Sequence, residues 1–402
     1  MNQAPTPGLR RLRFDASPCN FPRAAVPMLA QPELACLQWQ VNPRLAMSPW
    51  GTESFKRGRY ALHEAMRRSG LGPGTALLAP SYHCLTMLDP ALRLGAAIKL
   101  FPVNANLTPD IGALKNIVHH QHGDQRIQAL LIPHYFGIAQ SLENMLELKQ
   151  ICLDAKISLI EDCAHILTLG PQHPAPDAGI HGDWIVSSPY KFFPITEGGL
   201  LWSSQHDHAN ASSETHTPST GPRWREILVL WQHIFGIKTL RTRSTNRADF
   251  LPNFSQAHEW EEACDSASPY YKPNDELTQE SILASRLIRH TNIQALQARR
   301  RENFINWLEV CKTLRQATPL HTELPAGTIP YMFPLLLKDF KTHFDTLKRA
   351  GLPLGRWDNM VDSNCPTAKH YRMSLVHLPC HQSISKSQWT WMASTLRQIL
   401  EK

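Results

Sequence analysis

The residues best suited to chemistry lie in SSPYKFFPITEGGLLW, residues 187–202. Here Ser188 precedes Lys191 by three residues and Glu197-Gly198-Gly199 follows. A lysine among Phe, Pro and Ile is costly to hold as a cation. Such surroundings lower the amine's pKa and make it a nucleophile able to capture a carbonyl. The serine hydroxyl and nearby backbone amides can hold a phosphate. Upstream, the apolar run of ISLIEDCAH carries Glu161 and Asp162 to the end of a strand, where an acid can face a ligand crevice. Singly, each feature has a plainer alternative: an acid capping the next helix, or a surface lysine with a snorkelling stem. Together they meet the needs of pyridoxal phosphate, which requires a lysine for an imine, an acid for its ring nitrogen, phosphate donors and a stacking group.

These residues need elements to hold them. From about 50 to 200 short apolar strands alternate with helices. TALLAP, AIKLFPV, IQALLIP, ISLIEDC, DWIVSS and GGLLWSS read as strands. RYALHEAMRR, DPALRLG and SLENMLELKQICLDA read as helices, with Gly70 stopping the first and Ser141 capping the third. This alternation predicts an α/β fold with a doubly wound, largely parallel sheet, and ligands at the carboxyl ends of its strands. Residues 203–223 are polar and aperiodic and read as a loop. The segment 224–241 is apolar on most faces, which points to a buried dimer or interdomain helix, with a membrane-surface helix as the lesser alternative. A long helical pattern runs from 277 to 314, followed by strand, helix, strand and helix. The expected division is an N-terminal segment (1–49), a large domain (50–275), and a long helix with a smaller α+β C-terminal domain (276–402).

Composition narrows the class. Of 402 residues, 42% are hydrophobic and 19% charged, enough apolar material for a sizeable core. No apolar run reaches membrane-spanning length, and the first residues lack an apolar signal core. Nine cysteines without CxxC spacing suggest reduced thiols in the cytoplasm. The formal net charge of +7 is mild and suits anionic small molecules. The basic run Arg299–Arg301 reads as a solvated face or as contacts to a phosphorylated substrate; it lacks the aromatic interleaving of a nucleic-acid binder. Neither a metal site nor a membrane contact is expected.

Several segments jointly resemble the DegT/StrS family of pyridoxal phosphate-dependent sugar aminotransferases, enzymes of fold type I. LIEDCAH is similar to the family's VIEDaAQ, with His165 in the glutamine's place. SPYKFFPITEGG resembles its lysine segment ending in EGG, two residues shorter before the lysine. LLIPHYFG, GLGPGTALLAPSYHC, NANLTPD, RRRENF and HLPCHQSIS resemble further family stretches. The likeness covers residues 50–200 strongly and 280–395 more loosely.

The resemblance implies that Lys191 forms the internal aldimine and then acts as acid and base, and that Asp162 pairs with the pyridinium nitrogen. Ser188 or Ser187 would bind the phosphate, helped by Gly58, Arg59 and the following helix N-terminus. Arg59 stands where the family has a hydroxyl. His165 would sit near the ring hydroxyl, Tyr82 or His83 would stack on the ring, and His134 would lie behind the cofactor. The usual aromatic position aligns with Cys84. Arg356 and Trp357 fit either substrate contact or packing. Asn274 is the candidate for a segment reaching the partner's site in a homodimer. The reaction implied moves an amino group, with glutamate as donor, to a keto group of a nucleotide-linked sugar, as in polysaccharide biosynthesis. The alternatives are a non-sugar acceptor, or a non-catalytic protein that retains the fold.

Overall fold

A computed structural model describes residues 8–31, 52–120, 125–169, 177–204 and 257–401. Its strands are β1 (Arg10–Asp15), β2 (Thr52–Phe55), β3 (Thr75–Pro80), β4 (Ala97–Phe101), β5 (Arg126–Pro133), β6 (Ser158–Cys163), β7 (Trp184–Ser187), β8 (Gly199–Ser203), β9 (His258–Ala263), β10 (Ala317–Pro319), β11 (Met332–Leu337), β12 (Met360–Val361) and β13 (Leu375–Pro379). Its helices are α1 (Gly58–Arg68), α2 (Leu85–Arg93), α3 (Ile111–His119), α4 (Leu142–Ala155), α5 (Ile282–Arg289), α6 (Ile293–Cys311), α7 (Phe340–Arg349), α8 (Pro366–Ser374) and α9 (Lys386–Leu400).

Seven strands form the main sheet in the order β2-β8-β7-β6-β5-β3-β4. From β7 to β4 every pairing is parallel, while β8 runs antiparallel to both its neighbours. The inner strands are apolar along their length because helices cover both faces. One face packs against α1 and α2 through Tyr60, Ala61, Ala65, Met87 and Leu88. The other packs against α3 and α4 through Leu114, Val118, Met145 and Leu148. Register aligns the strand ends: Asp162 pairs with Pro133 on one side and Val186 on the other, and Cys163 with Ser187. The acid and the serine pair therefore emerge at one edge of the sheet.

The C-terminal part is built on a second sheet, β10-β11-β13, with antiparallel pairings. Its core holds Trp307 of α6, Phe333 of β11 and Leu396 of α9, all fully buried; each contributes about 2–3 kcal/mol of apolar burial. β1 lies between β9 and β12 in a third sheet, so the N-terminal segment pairs with strands from two distant parts of the chain.

Local signals explain most boundaries. Ser141 caps α4 by accepting the Asn144 amide, Gly70 turns the chain after α1 at φ +79°, and Ser385 forms a capping box with Gln388. The helical pattern of 277–314 differs from expectation: it is two helices. Asn292 accepts the Ala295 amide and starts α6 afresh, and the Thr291 hydroxyl bonds the Leu287 carbonyl at the end of α5. The segment 224–241 and nearly all of the polar stretch 203–223 lie outside the described residues. Among the described residues no helix is long and apolar enough to cross a membrane.

Candidate active site

A cleft of about 570 Å³, part of it open to solvent, lies at the carboxyl edge of the main sheet. Asp162, Ala164 and His165 reach it from the end of β6, Val186 and Ser188 from the end of β7, and Lys191 from the turn after β7. Arg57, Gly58 and Arg59 reach it at the start of α1, and Trp357 from the C-terminal part.

Lys191 ends a three-residue 3-10 turn, Pro189–Lys191, in which its amide bonds the Ser188 carbonyl at 3.0 Å. Its Nζ lies 5.5 Å from the centre of the Tyr331 ring. Asp162 is buried, and burial pushes its carboxyl up while the charge of Lys191 pulls it down. One Asp162 oxygen, Oδ1, accepts the Ala164 amide at 2.8 Å. His165 is buried, and burial followed by the Lys191 charge holds its imidazole well below its usual pKa. The neutral ring accepts the Phe136 amide at Nδ1 (3.3 Å), which fixes its proton on Nε2 as a donor. The turn that supplies this amide is strained: Phe136 has φ +57° and Gly137 φ +102°. A Cβ at Gly137 would lie 2.6 Å from the Tyr331 amide nitrogen, so the close approach of these two loops requires glycine.

Gly58 opens α1, where the first amides have no carbonyl one turn back. A Cβ at Gly58 would lie 2.0 Å from Ser188 Oγ, so the serine hydroxyl rests directly against the helix N-terminus. That junction is a compact anion cradle. Arg57 stands beside it with its guanidinium 4.7 Å from the centre of the Tyr190 ring. The sequence reading passed over Arg57, although it immediately precedes Gly58.

Other expectations need correction. Ser187 does not line the cleft; it is buried at the end of β7, so of the two serines Ser188 faces the cradle. Neither Tyr82 nor His83 reaches the cleft. His83 is fully buried, its Nδ1 bonded to the Cys84 carbonyl and its Nε2 accepting the Val361 amide. Tyr82 stacks behind Trp357 at 5.0 Å, with its hydroxyl 3.4 Å from His377 Nε2. The aromatic rings that line the cleft are those of Trp357 and Tyr190, and Cys84 lines it where the sequence expects an aromatic. Arg59 lines the cleft, but its Nη1 donates to the Tyr270 carbonyl. His134 lines the wall with both nitrogens engaged, Nδ1 accepting the Gln140 amide (3.0 Å) and Nε2 donating to Glu161 (2.9 Å).

Glu161 is the organiser behind the site. Its carboxylate accepts the amides of Gly179, His181 and Gly182 as well as His134. Burial opposes ionisation, but the hydrogen bonds from His134 and these amides win, and its pKa is lowered to about 2. His134, Glu161 and Cys163 bring ligand-type atoms within 4.8 Å of one another. The carboxylate oxygens are already occupied by those donors, so the cluster holds a loop rather than offering an open metal site.

Residues 54–239 match the DegT/DnrJ/EryC1/StrS aminotransferase family. The fold is similar to a DegT DnrJ EryC1 StrS aminotransferase from Brucella abortus (TM-score 0.59, 16% identity, 87% of this chain and 86% of that one). It is similar to Helicobacter pylori PseC, an aminotransferase involved in the biosynthesis of pseudoaminic acid (0.57, 15%, 87% and 86%). It is also similar to the PLP-form of a protein from Streptococcus pneumoniae assigned as a sugar aminotransferase (0.59, 14%, 93% and 98%). These likenesses establish the fold-type I architecture. The residues present fit pyridoxal phosphate: a glycine–serine cradle for its phosphate, a buried acid, a neutral histidine donor and a lysine line one cleft.

Proposed function

We propose, because residues 54–239 match the DegT/DnrJ/EryC1/StrS aminotransferase family, that the chain is a pyridoxal phosphate-dependent aminotransferase, that Lys191 is its catalytic lysine and that it moves an amino group from glutamate to a keto group of a nucleotide-linked sugar. The family match supports an aminotransferase over the non-catalytic alternative. The observation that carries the residue-level reading is the convergence of Lys191, Asp162, His165 and Ser188 on one cleft. When bound, pyridoxal phosphate supplies an electron sink through which an amino group and a carbonyl can be exchanged.

The chain's residues do the rest. Lys191 Nζ would hold the cofactor and would serve as the acid and base that moves a proton at the substrate's α-carbon. Asp162 would keep a proton on the ring nitrogen. His165 Nε2 would donate to the ring hydroxyl oxygen. Ser188 Oγ and the amides of Gly58 and Arg59 hold the phosphate, with Arg57 adding charge beside them. Trp357, braced by Tyr82, would cover the ring and exclude water. The cleft's arginines suit an acceptor that carries phosphate. The reading extends to a cytoplasmic homodimer, with exposed Asn274 toward the partner's site.

The test is spectroscopic. Purified protein should show the visible absorption of a lysine-bound cofactor, and Lys191→Ala should abolish it with a loss of activity of roughly three orders of magnitude or more. Glutamate should bleach the band, and the amine-loaded enzyme should then aminate a keto-sugar nucleotide, read by mass spectrometry. A band that survives in Lys191→Ala sinks the assignment of the lysine. A wild-type band that ignores glutamate sinks the donor. Amination of other keto compounds alone favours the non-sugar acceptor.

A further inference from the structure

The sequence suggests a solvated face or contacts to a phosphorylated substrate for Arg299–Arg301; Arg300 is fully buried, and its flanking arginines are half-buried. Arg299 pairs with Glu302 at 2.7 Å, and Arg301 donates to the carbonyls of Pro325 and Thr328. Arg300 turns inward from α6, and its guanidinium spreads over three separate loops. Nη2 donates to the carbonyls of Lys191 (3.3 Å) and Phe192 (3.1 Å). Nη1 donates to the carbonyls of Pro330 (3.1 Å) and Tyr331 (3.3 Å). Nε donates to Gln382 Oε1 (2.9 Å), and Gln382 Nε2 in turn donates to the Phe192 carbonyl (2.9 Å). The guanidinium carbon lies 4.9 Å from the centre of the buried Phe192 ring.

The Lys191 turn needs this arrangement. A three-residue 3-10 turn has little stability of its own and leaves its last carbonyls without partners inside the turn. Those carbonyls are the ones that Arg300 and Gln382 take. The same guanidinium holds the carbonyl of Tyr331, whose ring lies 5.5 Å from Lys191 Nζ. The planar guanidinium alone among side chains presents five donors in one plane; a lysine ammonium offers three from a single point.

We infer that Arg300 is a positioning residue for the reaction: it clamps the backbone of Lys191 and of Tyr331 to one rigid fork and so fixes where Lys191 Nζ stands relative to the cofactor. The inference rests on the reading of Lys191 given above. It assigns Arg300 no contact with substrate or cofactor. Misplacement of a reacting atom by about 1 Å costs on the order of a hundredfold in rate. The proton held at the lysine–cofactor link also depends on alignment with its neighbours. The charged or titratable groups around Lys191 in the cleft are Asp162 and His165 from the end of β6, His134 after β5, Arg57 and Arg59 at the start of α1, Cys84 before α2 and Tyr190 from its own turn, with Tyr331 of the C-terminal part beside Lys191 Nζ.

The experiment compares holoenzyme carrying Arg300→Lys, Gln382→Ala or Arg299→Ala with the parent. The readouts are the pH midpoint of the visible band, the circular dichroism of that band, and thermal unfolding. Arg300→Lys should move the midpoint by about half a pH unit or more, a threefold change in proton affinity, and alter the dichroism. Gln382→Ala should do the same to a smaller extent, and Arg299→Ala should leave both unchanged. If Arg300→Lys folds and only its unfolding temperature drops, Arg300 is structural and the inference is overturned. If Arg300→Lys cannot be purified, an unmoved midpoint in folded Gln382→Ala overturns it. Failure of the lysine assignment is recognised separately, by a band that persists in Lys191→Ala.

Discussion

Two acids lie at opposite extremes of one physical rule. Glu161 and Glu280 are both buried. Glu161 has five donors, counting the Cys163 thiol, and ionises readily; among the described residues Glu280 has no hydrogen-bond partner on either oxygen. Burial raises Glu280 to about 8, Arg289 opposes the rise and Glu197 adds to it. A carboxyl whose folded pKa is raised favours the folded state at low pH. That advantage falls from the unfolded pKa near 4.5 and is fully lost once pH passes the folded value. Glu280→Gln removes the titration. Relative to the parent, it should gain nothing near pH 4 and roughly 4 kcal/mol by pH 9. Chemical denaturation across that range measures it, and a pH-independent difference would show that Glu280 does not titrate there.

At the scale of elements, the site is an encounter between the start of α1 and the end of β7. Ser188 Oγ occupies the space that a side chain at Gly58 would need. Gly58→Ala must push the serine or the helix aside, since 2.0 Å is far inside van der Waals contact. The expected result is a loss of cofactor affinity of tenfold or more, with secondary structure intact, read by equilibrium dialysis of apoenzyme with pyridoxal phosphate. Unchanged affinity would place the phosphate elsewhere than against α1. Arg300 acts at the same scale, since one side chain of α6 governs the turn that carries Lys191.

At the scale of the molecule, the cleft joins strand ends of the main sheet to Trp357, which comes from the C-terminal part. A ligand held there bridges both, and binding to the folded state alone stabilises by mass action. Pyridoxal phosphate at about a hundred times its dissociation constant should therefore stabilise the apoenzyme by about 2.7 kcal/mol, visible as one shifted unfolding transition. Two transitions, of which only one moves, would mean that the C-terminal part does not share in binding.

The sequence by itself determined the alternating α/β order, the strand ends that carry Asp162 and Ser188, the cap at Ser141, and the lysine turn. Each follows from local periodicity, capping or a short motif, and such signals are complete within a few residues. The exclusion of Tyr82, His83 and Ser187 from the cleft was decided only in three dimensions. So was the entry of Trp357 and Arg57, and the burial of Arg300. Side-chain direction at a strand end depends on what occupies the other face, here Val361 against His83 and Trp357 against Tyr82. Arg300 and Lys191 are separated by 109 positions. Pattern in the chain marks Arg300 as one of three basic residues in a row; only packing tells which of them turns inward, because burial of a guanidinium is tolerable solely where acceptors from distant loops converge.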